Sequence, residues 1–189
     1  MNNLKSIKQL QVILVKSGST ELDDQGRISG SLDLPLSETG RDEAQQLASL
    51  LKGLNVKAVF TAACLAAQET GRVIAKACTK SRIRVEETWT NLDHGLWHGR
   101  CLEEVKENVP KFYRQWQENP DAVCPPGGET FREVIQRCQP AVERLLKKRK
   151  SGSVVIVAPQ PLLGILEQIF ESSQSMATDL ELKLSVEGT

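Results

Sequence analysis

The segments that most constrain this chain are its short, continuously apolar runs, each stopping where the backbone must turn. Val12-Ile13-Leu14-Val15 carries no polar residue and soon reaches Gly18, so it reads as a buried strand. Val154 to Val157 repeats the pattern and is the clearest strand in the sequence. Between these runs the apolar period changes from continuous to helical. Residues 39–53 place Ala44, Leu47, Ala48 and Leu51 on one stripe, with Ser37 or Thr39 as cap and Gly53 closing the helix. The pattern then predicts a strand over 56–60, a helix over 61–79 and a short strand over 83–85. A helix over 102–118 should break near Pro110. A later helix carries Phe131, Val134, Ile135, Cys138, Val142, Leu145 and Leu146 on one stripe, with a disturbance at Pro140. Residues 159–170 read as mostly helical, and Leu180, Leu182, Leu184 and Val186 alternate as an added edge strand would. Strand–helix alternation of this kind predicts a three-layer α/β/α sandwich around a mainly parallel sheet.

The length of 189 residues suits a single domain over 1–189. Lys+Arg and Asp+Glu balance at 24 each, which argues against nucleic acid or an acidic membrane as partner. The one basic run, Lys147-Lys148-Arg149-Lys150, falls at the expected end of a helix, where cations complement the helix dipole. The five cysteines are odd in number and form no C-x-x-C pair, so free thiols in a reducing compartment are expected rather than disulfides or zinc. The apolar run near the N-terminus is too short for a membrane span or a signal-peptide core, and a cytoplasmic location is the expectation.

Ligands of an open parallel sheet bind beyond the carboxyl ends of the strands. Those ends are Lys16-Ser17-Gly18-Ser19-Thr20, Thr61 to Cys64, the 91–99 loop and Ala158-Pro159-Gln160-Pro161. KSGST reads either as a plain turn or as an anion-binding nest, with Gly18 permitting close approach. Ser17 would need a base to act as nucleophile, and the candidates are His94 and His98, which share one loop. The alternative reading makes both histidines structural, packed beside Trp89 and Trp97.

These same stretches resemble the histidine phosphatase superfamily, whose fold is phosphoglycerate mutase-like. LVKSGSTE followed by GRISGSLDLPLSETGRDEAQQLASLL is similar to that family's opening, LVRHGET…GR.QG..D.PLTE.G. VFTAACLAAQETGRVIA, NLDHGLWHG, PPGGETFREVIQR and VVIVAPQPLLGIL then resemble its later motifs in order, covering about residues 10–170. The resemblance implies a phosphohistidine nucleophile after the first strand, two arginines, a second histidine and an acid. At the matching positions stand Ser17, Lys16 and Ala66, Pro159, and Asn91. Lys16 keeps a charge without the bidentate fork of arginine. With only His94 and His98 in the chain, no shift of register restores a histidine after the first or last strand.

The resulting expectation is a catalytically inactive member of the family, a pseudoenzyme binding a protein partner or a small anionic ligand, with no cofactor or metal. A homo-oligomer is in keeping with the family. The alternative is a phosphatase-like enzyme with an altered mechanism, or residual anion binding through Lys16, Ser17, Gly18 and Arg27.

Overall fold

Both apolar runs become neighbouring strands at the centre of one sheet. In the computed structural model, which describes residues 9–78, 81–174 and 180–186, β1 (Leu10–Lys16) pairs in parallel with β4 (Gly152–Ala158) from Leu10↔Gly152 to Lys16↔Ala158. β2 (Val56–Thr61) lies on the other side of β4, and β3 (Arg82–Val85) forms one edge. β5 (Leu180–Val186) pairs with β1 at the other edge, where the alternating tail predicts a strand. The order is β3-β2-β4-β1-β5, and every pairing is parallel. The expected domain limits, 1 and 189, and the expected helix end at Thr79 lie outside the described residues.

Helices cover the sheet because each presents one apolar stripe. α1 (Glu21–Asp24) is a single turn inside the expected loop, closed by a capping box between Thr20 and Asp23. α2 (Glu38–Leu51) starts at Ser37, whose Oγ accepts from the Gly40 N–H at 3.0 Å, and buries Ala44, Leu47, Ala48 and Leu51 as expected. It packs against α3 (Leu65–Ala77), which begins later than expected because Thr61 is still in β2. Two helices, α4 (Leu102–Asn108) and α5 (Pro110–Glu118), meet at the anticipated break, with Val109 pushed out of helical geometry by the proline that follows it. α6 (Phe131–Lys148) pairs with α7 (Leu162–Gln174). No helix among the described residues is long and apolar enough to cross a membrane.

Pro140 does not interrupt α6, contrary to the disturbance its position predicts. Its ring lies on the exposed side, so the carbonyl left without a helical donor faces water, while Val134, Cys138, Ala141, Val142 and Leu145 keep the stripe buried. The residue therefore costs helix stability without contributing packing. Pro140→Ala is expected to raise unfolding free energy by about 1–3 kcal/mol, the helix-propensity gain less the entropy restored to the unfolded chain. Urea unfolding with an unchanged m-value is the check.

Candidate active site

The carboxyl ends of β1 and β4 are tied directly, the Ser17 N–H donating to the Ala158 carbonyl at 3.0 Å. Beyond that point every donor of the KSGST main chain has a protein acceptor. The Gly18 N–H donates to Thr70 Oγ1 at 3.0 Å, Ser19 to Glu43 Oε2 at 2.7 Å, and Thr20 to Asp23 Oδ2 at 2.8 Å. The loop is therefore not an open anion nest, which corrects that reading of Gly18. The glycine serves a packing need instead: a Cβ there would strike the Gly40 carbonyl, and one at Gly40 would strike Ser19. Ser17 is 5% exposed, and its Oγ bonds neither histidine, so the Ser17–histidine pairing is not formed.

The other positions matched to the family's chemistry are occupied structurally. Ala66 lies buried in the first turn of α3 beside Leu36 and Ala44. Asn91, 3% exposed, spends its whole amide. Nδ2 donates to the Gly30 and Gln160 carbonyls at 3.0 and 2.9 Å, and Oδ1 accepts from the Leu162 N–H at 3.1 Å. It thereby ties the 27–37 loop to the turn between β4 and α7. Pro159 begins that turn, its carbonyl accepting from Leu163 at 2.9 Å. Arg27 bridges to Cys101, and its Nη1 donates to the Gly99 carbonyl at 2.7 Å.

Sequence reasoning missed what Asn91 brings alongside. Ser31, one residue after the Gly30 that Asn91 holds, has its Oγ 3.3 Å from His98 Nε2. The Ser31 and His94 N–H groups donate to the same nitrogen at 3.2 and 3.3 Å. Two main-chain donors on Nε2 assign the ring proton to Nδ1, which faces Asp93 Oδ1 at 3.7 Å. That carboxylate oxygen is itself held by the Gly95 N–H at 2.8 Å. Gly30 has a positive φ of 51°, and a side chain there would collide with both imidazoles. The only sequence signal was this glycine beside a serine, which composition cannot distinguish from an ordinary turn.

His94 plays a different part. It is buried, with Nδ1 3.2 Å from the Leu92 carbonyl and its ring edge-on to Trp116, not beside Trp89 or Trp97 as expected. Burial, and secondarily the neighbouring His98, pushes its pKa down to about 4. Behind the loop, Arg137 donates from Nε and Nη2 to Glu129 at 3.0 Å each, and to the Thr88 and Asn91 carbonyls at 2.8 and 3.1 Å. Glu129 Oε2 accepts from the Asp93 N–H at 3.2 Å. This pair clamps the segment that carries Asn91, Asp93 and His98. Among the described residues no group of His, Cys, Asp and Glu could hold a metal ion.

A parallel α/β sandwich with polar side chains gathered at the carboxyl edge of its strands has the layout of an α/β enzyme. The chain belongs to the histidine phosphatase superfamily (branch 1), whose model matches residues 12–184. It is 32% identical over 149 residues to phosphoserine phosphatase 1 of Hydrogenobacter thermophilus, covering 79% of this chain and 70% of that protein. It is 26% identical over 179 residues to phosphoglycerate mutase-like protein 4 of Arabidopsis thaliana, covering 94% and 76%. A mycobacterial glucosyl-3-phosphoglycerate phosphatase, solved with VO3, superimposes with a TM-score of 0.75 at 25% identity, covering 82% of this chain and 78% of that one.

These relatives correct the expectation of an inactive chain, since two of the three are named as phosphatases. The expectation weighed the positions matched to the family's motifs, together with Ser17 paired to His94 or His98. Catalytic groups can stand elsewhere along the same sheet edge, and that inventory did not include Ser31.

The depressed His94 pKa has a testable consequence. Below an unfolded-state pKa of about 6.5 the unfolded chain binds a proton that the folded chain refuses, so stability falls as pH drops from there to about 4. The loss should be on the order of 2–3 kcal/mol. Urea unfolding at pH 7 and 4.5 is expected to show it, and His94→Gln should remove most of that difference.

Proposed function

We propose that this chain is a phosphatase-like enzyme acting on small phosphomonoesters by a mechanism that does not pass through a phosphohistidine at the end of β1. Family membership and the names of its relatives support the reaction class. The observation that carries the altered mechanism is the Ser31–His98–Asp93 alignment, with Oγ 3.3 Å from Nε2 and Nδ1 3.7 Å from the carboxylate.

In this reading Ser31 Oγ attacks phosphorus while His98 Nε2 takes its proton. The phosphorus–oxygen bond to the alcohol breaks, and the imidazolium returns the proton to the departing oxygen. Water, activated by the neutral ring, then hydrolyses the phosphoserine and restores the enzyme. Asp93 keeps the ring in the required tautomer and steadies its positive charge. Arg27 and Lys16 supply cationic stabilisation for the phosphoryl oxygens, Arg27 retaining donors beyond the one spent on Gly99. Asn91 and the Arg137–Glu129 pair act as positioning residues. Nε2 also accepts from the Ser31 and His94 N–H groups, so the Ser31 hydroxyl competes with them for it until substrate displaces the Ser31 N–H contact. Five free cysteines support a cytoplasmic setting.

Turnover of p-nitrophenyl phosphate and phosphoserine by purified protein is the test. His98→Gln is expected to lower kcat by about 100- to 10,000-fold, and Ser31→Ala to abolish a phosphorylated peptide trapped by acid quench. Ser17→Ala should preserve both. Absence of turnover above the blank, or turnover indifferent to His98→Gln, would overturn the reading.

A further inference from the structure

A concave feature separate from the Ser31–His98 alignment lies between β3 and the carboxyl end of α6. Its volume is about 680 Å³, within the span of roughly 300–1,000 Å³ typical of small-molecule clefts. Arg84 enters it from β3, Arg144 and Lys148 from the last turns of α6, and Arg149 from the helix cap, while Phe60 and Trp89 form part of the wall. Among the described residues the only lining carboxylate, Glu86, is already paired with Arg144 at 3.2 Å. On a chain with equal numbers of positive and negative side chains, four cations against one carboxylate is a local concentration of charge.

Helix-end complementarity accounts for Lys148 but not for this arrangement, because Arg84 converges from a different element. The Arg149 guanidinium sits 5.5 Å from the centroid of the Phe60 ring. Burial and the neighbouring Arg84 both disfavour its charged form. Holding like charges together in this way costs free energy that a bound anion would offset. Trp89 itself is 1% exposed, and its indole Nε1 is buried without a hydrogen-bond partner, so the ring meets the groove as wall.

We infer that this groove is a binding site for a small phosphate-bearing polyanion, held by Arg84, Lys148 and Arg149 beside the Trp89 ring. Guanidinium forks suit the paired oxygens of phosphates better than a point charge would. A cleft of this volume favours a compact oligophosphate over an extended acidic chain. The inference is independent of the Ser31–His98 reading, since none of these side chains belongs to that alignment.

The test is a titration of ¹⁵N-labelled protein with inorganic tripolyphosphate and, in a separate arm, ADP, following the Trp89 indole resonance assigned through Trp89→Phe. A saturable shift is expected. Arg84→Gln combined with Arg149→Gln should weaken it at least tenfold while leaving the thermal unfolding profile and phosphomonoester turnover intact. Ser31→Ala should leave it unchanged, placing the ligand in the groove and not at the sheet edge. Comparable binding in both arms would show that the phosphates alone are read, and tighter ADP binding would add a contact to the organic group. No saturable shift, an equal response to sulfate at matched ionic strength, or indifference to the double substitution would overturn the inference.

Discussion

The parallel pairing of β1 with β4 is the constraint on which the rest of the molecule depends. Seven successive residue pairs bring Lys16 level with Ala158, so the two loops leaving the centre of the sheet emerge side by side. Everything at that edge is then organised by how those loops are joined to others. β2 extends the ladder on the β4 side, delivering the turn before α3, and the segment after β3 folds back across the strand ends. The buried apolar runs thus do more than fill a core. They set the positions from which polar side chains reach one another across long stretches of sequence.

Hydrogen bonding by Asn91 and Arg137 converts that placement into a fixed geometry. A buried amide with all of its contacts met is a stiff joint, because breaking any one leaves a polar atom dry. Arg137 acts on the same segment from behind, its charge balanced by Glu129 and its remaining donors spent on two carbonyls and the Cys138 Sγ. Between them they hold the 88–93 segment against three other parts of the chain. The Ser31–His98 contact is weaker than these supports and depends on them.

Much of the fold was legible because it rests on local pattern. The runs at 12–15 and 154–157, the stripe of α2 and the break at Pro110 follow from apolar period and proline sterics. Pro140 misled because its consequence depends on which side of the helix faces water, and the apolar stripe of α6 hides that until packing is known. The site was less legible for a related reason. Ser31 and His98 lie 67 residues apart, and no spacing rule connects a serine in a glycine turn to a histidine in a distant loop. The family pattern pointed to Ser17, whose hydroxyl bonds neither histidine. KSGST was open to two readings, a plain turn or an anion nest, and the group that approaches Gly18 is the backbone of α2.

The interlocked glycines at 18 and 40 carry a broader consequence. Because that crossing admits no side chain and its amides are all engaged, the loop after β1 is a rigid template already ordered by folding. A ligand arriving there incurs no entropic cost for arranging it, yet it also finds no main-chain donor to exploit. At this loop, recognition of any ligand would rest on side chains, which single substitutions can exchange with the backbone left as it is.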